Sequence, residues 1–191
     1  MESCENLSRA IRFEEPEWIP MVFHINGACW NHYNHDELQS LMVEHPLLFP
    51  GYTPVEKVNP HYSPVQLKDA PYKDPWGCIW ETLEDGITGS VHQHPLADWS
   101  KLEGYQPPNP EITDGLVSID WTQEAERIAK EKEAGGLGMG HLRHGHTFLQ
   151  LCDIRGYENL IFDMVDDEPN LWKLIDMLEE FNLAQKKAGF Q

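Results

Sequence analysis

Residues 136–164 read GLGMGHLRHGHTFLQLCDIRGYENLIFDM. The stretch opens on a short Gly-rich apolar run, Gly136 to Gly140, which predicts a buried strand. His141, Arg143, His144 and His146 follow at once. Phe148, Leu149, Leu151, Cys152 and Ile154 then recur at helical spacing. A strand that empties into polar residues and continues as a helix is one β/α unit. In α/β folds, polar residues at the C-terminal end of a strand are where chemistry sits. This stretch therefore predicts both an architecture and a candidate site.

Upstream, IPMVFHI (19–25) predicts a second strand buried on both faces, ended by Asn26-Gly27. The loop Ala28-Cys29-Trp30-Asn31-His32-Tyr33 is dense in side chains that bind or react. A short helix over 5–13 precedes it, and a helix begun by Asp36 runs to about Glu44, where Pro46 stops it. Residues 49–75 are Pro-rich and predict a long irregular loop. A hairpin follows, with strands at 78–83 and 87–91 around Glu84-Asp85-Gly86. A short helix over 97–105 and a hinge at PPNP (107–110) lead to a polar helix over 122–134, capped by Thr122 and ended by Gly135-Gly136. Residues 168–188 place Leu171, Leu174, Ile175, Leu178, Phe181 and Leu183 on one helix face. The order of elements predicts an α/β fold with an antiparallel ornament.

Composition narrows the function. Hydrophobic residues make up 40% of the 191 and charged residues 24%, which fits an ordinary globular chain. Lysine and arginine number 14 against 32 acidic residues, leaving a net charge of −18. Such a chain repels nucleic acid and anionic lipid, so neither is expected as a partner. No apolar run approaches a membrane span, and the N-terminus shows no apolar leader, so a cytoplasmic location is expected. The four cysteines, Cys4, Cys29, Cys78 and Cys152, form no C-x-x-C and are expected to be reduced.

Three blocks, IPMVFHINGACWNHY (19–33), DPWGCIWETLEDGITGSVHQHPLADWSKLEGY (74–105) and GHLRHGHTFLQLCDIRGYENLIFDMVDDEPNLWKLIDMLEEFN (140–182), resemble the uroporphyrinogen decarboxylase superfamily. That superfamily includes cobalamin- and corrinoid-dependent methyltransferases. The D-x-W-G hairpin and the R-G-Y-E-N-L tail are similar to its methyltransferase-like branch. The resemblance implies a (β/α)8 TIM barrel with its site at the strand C-termini. It implies that residues 1–191 are the N-terminal half of that single barrel domain, with a hairpin insert at about 74–95. A segment of this kind is expected to be inactive alone.

The branches differ at identifiable positions. True decarboxylases follow the first strand with an arginine-bearing loop that grips carboxylates. Here that loop is Asn26 to Tyr33 and carries no arginine. Asn and neutral His do not replace bidentate guanidinium partners. Cys152 stands where the decarboxylases carry a tyrosine, four residues before Gly156. The resemblance therefore implies methyl transfer with a corrinoid protein or thiol acceptor in the complete protein, with zinc and a corrinoid as its cofactors. Its zinc ligands, a His-x-Cys pair and a later Cys, belong to the C-terminal half, so no cofactor is expected within this segment. The segment would supply a substrate-binding cup of His24, Asn26, Cys29, His32, His141, Arg143 and His144, with Asp74 as the catalytic, charge-stabilising group. The alternatives are uroporphyrinogen decarboxylation, with Asp74 in the same role, and a non-catalytic corrinoid- or tetrapyrrole-binding protein.

Plainer roles compete for several of these residues. Cys152 on a helix face suits the core, His92 and His94 suit a surface pair, and Trp76, Trp80 and Trp99 suit packing of the hairpin. Arg143, just past a predicted strand, is either a buried partner for an aspartate or an anion-binding group.

Overall fold

The computed structural model describes residues 3–21, 23–49, 51–56 and 62–188. The N-terminal helices are α1 (Ser3–Ile11), α2 (Gly27–His32) and α3 (His35–Glu44). A three-stranded sheet follows, β1 (Tyr72–Lys73), β2 (Ile79–Glu81) and β3 (Ser90–Gln93). The chain then forms α4 (Trp121–Glu133), α5 (Phe148–Arg155), α6 (Tyr157–Asp166) and α7 (Pro169–Ala188). Single 3-10 turns lie at Pro64–Gln66 and Trp99–Lys101.

The sheet order is β1-β2-β3, and both pairings are antiparallel. Tyr72 faces Trp80 across β1–β2, and Trp80 faces Val91 across β2–β3. A bulge between Ile79 and Trp80 shifts the second register and turns the strand more strongly. The expected hairpin is thus present, with shorter strands and a longer tip, and Gly86 takes a positive φ of 82° there. β1 lies in the stretch expected to be irregular.

This hairpin is the centre of the described core rather than an ornament. Trp76, Cys78 and Trp80 are buried with Leu96 and Ile154, and with Leu174, Leu178 and Phe181 of α7. Trp76 meets Phe181 edge to face at 5.0 Å between ring centroids. The apolar face expected along α7 is the one that packs, although Leu183 near its end stays exposed. The segments on either side of the expected hinge at 107–110 are anchored to the core. Tyr105 Oη donates to Trp76 O (2.7 Å), and Tyr72 Oη donates to Leu116 O (2.8 Å). Gln185 of α7 donates to Thr113 O at 2.6 Å.

Both expected strands outside the hairpin differ. Residues 137–143 have no regular structure. Gly138 sits at φ +63°, and the stem of Lys132 lies against it. Three glycines in five residues leave only Leu137 and Met139 to pack, too little to hold an extended strand. The described part of 19–25 is irregular as well, with Ile19 81% exposed. Pro20 offers no N–H to a ladder, and the segment has no strand beside it among the described residues. Val22 lies outside the described residues. No parallel strand pair occurs among the described residues.

The helical segment after residue 147 is two helices, not one. Gly156 breaks it at φ +88°. Two expected caps move to the preceding position that can accept. Asp120, not Thr122, accepts from Thr122 N and Gln123 N at the start of α4. Asn34, not Asp36, caps α3. The expected helix at 97–105 is a single 3-10 turn capped by Asp98. No helix among the described residues is long and apolar enough to cross a membrane.

Candidate functional site

The turn DPWGC (74–78) joins β1 to β2. Asp74 N donates to Cys78 O, and Gly77 N donates to Asp74 O. The carboxylate closes the turn from inside. Its Oδ1 accepts from Cys78 N and its Oδ2 from the Trp80 indole, each at 2.8 Å. Asp74 is 3% exposed. Burial pushes its carboxyl above the usual range, while these two donors and the charge of Arg143 pull the other way.

Arg143 arrives from the loop before α5. Its Nη2 donates to Asp153 Oδ2 at 3.1 Å and its Nε to His144 O at 3.2 Å. The guanidinium lies 5.9 Å from the centroid of the Trp80 ring. Nη1 is buried without a hydrogen-bond acceptor among the described residues. Of the two roles open to this arginine, the structure shows the buried partner of an aspartate. Burial raises the Asp153 carboxyl too, Arg143 opposes that, and the charge of Asp74 adds to it. Asp74, Arg143 and Asp153 are thus one electrostatic group, drawn from segments about seventy residues apart in sequence.

Cys78 and His94 complete the surroundings. The Cys78 thiol donates to Asp153 O at 3.3 Å. Burial and the neighbouring carboxylates push its pKa far up, which keeps it un-ionised. His94 Nδ1 lies 2.8 Å from the same carbonyl. A carbonyl only accepts, so Nδ1 carries a hydrogen. His94 is therefore a docking residue between the sheet and α5, not half of a surface pair.

The remaining predicted residues lie elsewhere. Asn26 caps α2 by accepting from Cys29 N at 2.9 Å. His32 Nδ1 is 3.5 Å from Glu84, and Asn31 donates to Gly86 O at 2.8 Å. These contacts hold α2 against the β2–β3 tip, at the opposite end of β2 from Asp74. Cys29 is half-buried, and His24 is exposed on the irregular segment. His144 is exposed, and His141 lines a cleft beside α4. His146 contacts Arg143 O through Nδ1 at 3.1 Å. Among the described residues, no group of three or more His, Cys, Asp or Glu side chains is placed to hold a metal ion.

Sequence reasoning missed a second buried pair. Arg155 grips Asp163 through Nε (2.6 Å) and Nη2 (3.2 Å), and its Nη1 donates to Leu96 O and Ala97 O. Its guanidinium stacks 4.3 Å from the Trp99 ring centroid. The arginine of the R-G-Y-E-N-L tail is therefore a clamp between the loop after the sheet and α6. The i, i+8 spacing of Arg155 and Asp163 across a glycine gave no local signal of this pairing.

No family model matches the chain, and no curated protein or solved structure is significantly similar to it.

Proposed function

We propose that this chain is a portion of a uroporphyrinogen decarboxylase-superfamily barrel protein of the methyltransferase-like branch. In the complete protein the activity would be methyl transfer with a corrinoid protein or a thiol acceptor. The observation that carries the choice of branch is the charge balance around Asp74. Two carboxylates, buried Asp74 and half-buried Asp153, flank one guanidinium, whose Nη2 is already committed to Asp153. The loop 26–33 adds no arginine. A substrate rich in carboxylates would meet one buried Nη1 against two negative groups, an arrangement that opposes its binding. The barrel belongs to the same proposal. Ile19, Met21 and Phe23, on the segment that resembles the family's first barrel strand, lie exposed, as apolar strand residues would before their sheet is completed.

This segment contains no His-x-Cys pair, and its described residues make no group of three or more metal ligands. What these residues supply is position. The Asp74 turn and the Arg143–Asp153 pair fix the hairpin against α5. A cytoplasmic setting is also part of the proposal, and it agrees with Cys29, Cys78 and Cys152 all being free thiols.

The test is a paired titration of the purified complete protein with methylcobalamin, followed by absorbance, and with a polycarboxylate porphyrin, followed by fluorescence. The proposal expects saturable corrinoid binding and no porphyrin binding. Porphyrin binding without corrinoid binding would overturn it in favour of the decarboxylase. Corrinoid binding with no methyl transfer by the longer gene product would favour a non-catalytic binding protein.

A further inference from the structure

A cleft of about 700 Å³ runs between α4, the loop 138–142 and the C-terminal turns of α7. Its volume is within the range of small-molecule sites. Trp121, Ile128 and Leu142 give it an apolar lining. The Trp121 ring is fixed in place, because its Nε1 donates to Glu111 O at 2.8 Å.

The charges around the cleft are unusual for this molecule. Lys132 and Lys186 both line it, in a chain whose net charge is −18. Among the described residues neither ammonium has a carboxylate within 4.0 Å. Lys132 is also held in position, since its stem lies across the backbone of Gly138. Two carboxylates share the wall. Glu124 is already committed to Arg127 through two hydrogen bonds, at 2.9 and 2.6 Å. Asp114 accepts from Leu116 N and Val117 N through one oxygen, at 2.8 Å each. Two unpaired ammoniums therefore stand against one carboxylate without a cationic partner, beside an apolar floor and the His141 ring.

We infer that this cleft binds an amphipathic carboxylate, with an aromatic or alicyclic body against Trp121 and its anionic group between Lys132 and Lys186. An apolar body gains from leaving water against the indole and aliphatic side chains. The carboxylate gains two cationic partners at the rim of the cleft. The site is separate from the Asp74–Arg143–Asp153 group and does not depend on the proposed methyl transfer.

2-Naphthoate is the probe, read by chemical-shift changes in the ¹⁵N-labelled protein, with 2-naphthamide as the neutral comparison. Trp121→Phe assigns the Trp121 indole signal by removing it. The expected result is saturable movement of that signal and of the Gly138 and Gly140 amides with naphthoate, and weaker movement with the amide. Lys132→Gln combined with Lys186→Gln weakens naphthoate binding about fivefold or more, and Lys132→Arg restores most of its share. Equal binding of acid and amide would overturn the assignment of the anion. So would an undiminished affinity in the double glutamine variant while its spectrum stays folded. Shifts confined to surfaces away from α4, or none at millimolar probe, would overturn the site.

Discussion

Arg155 makes four hydrogen bonds, two to Asp163 and two to the carbonyls of Leu96 and Ala97. Its side chain is 9% exposed and that of Asp163 is 10% exposed. Removing one partner leaves a buried charge with no compensation, while removing both can be nearly neutral. Arg155→Met is expected to cost about 3–5 kcal/mol in urea unfolding, and Arg155→Met with Asp163→Leu to recover a large part of that. A loss below about 1 kcal/mol for the single variant would show that the clamp carries little. The Arg143–Asp153 pair makes a prediction of opposite character. Burial raises the Asp153 carboxyl above its ordinary 3.8 despite Arg143. A raised carboxyl means that the folded state holds its proton more tightly than the unfolded state. Its contribution to stability is full below 3.8 and is lost as pH rises through the raised folded value. Stability relative to Asp153→Asn should therefore fall across that interval in pH-dependent urea titrations. A relative gain with rising pH would mean that the attraction of Arg143 outweighs desolvation.

Among the elements, Gly156 sets the geometry that the rest follow. It sits at φ +88° and ψ 132°, ending α5 and starting α6. A Cβ there would come within 3.2 Å of the His94 ring. Gly156→Ala is expected to cost about 1–3 kcal/mol through backbone strain, measured as a lower urea midpoint with an unchanged slope. An effect of only a few tenths would contradict a strained break. Helices with one apolar face and a clear stop were readable in the sequence. α7 packs through Leu171, Leu174, Leu178 and Phe181, as its spacing indicates; α4 lies outside, as its polar sequence indicates, but without a fully buried stripe. Strands were harder to read. β1 is two residues inside a Pro-rich stretch, and its pairing is made by the Asp74 turn rather than by any alternation of its own. Conversely, 136–140 looks apolar enough for a strand, but Gly138 takes a conformation no strand uses.

At the scale of the molecule, the resemblance singled out Asp74 and the residues after the predicted strand singled out Arg143; in the structure the charge of Arg143 acts on the Asp74 carboxyl. The sequence could not show that Asp74 spends both carboxylate oxygens on its own turn, because that depends on where the Trp80 ring falls. Nor could it show that Asn31 and His32 of α2 reach the far end of β2, which needs the register of the hairpin. The exposed apolar residues Ile19, Met21 and Phe23 on one segment, with Phe162 and Val165 on α6, are the surfaces that a completed barrel would cover in the proposed reading. The most direct test of that reading is to determine the coding sequence that follows the codon for Gln191. The account predicts an open frame that continues into a His-x-Cys pair and a later cysteine. A stop codon directly after Gln191, or a continuing frame without those ligands, would contradict the methyltransferase assignment.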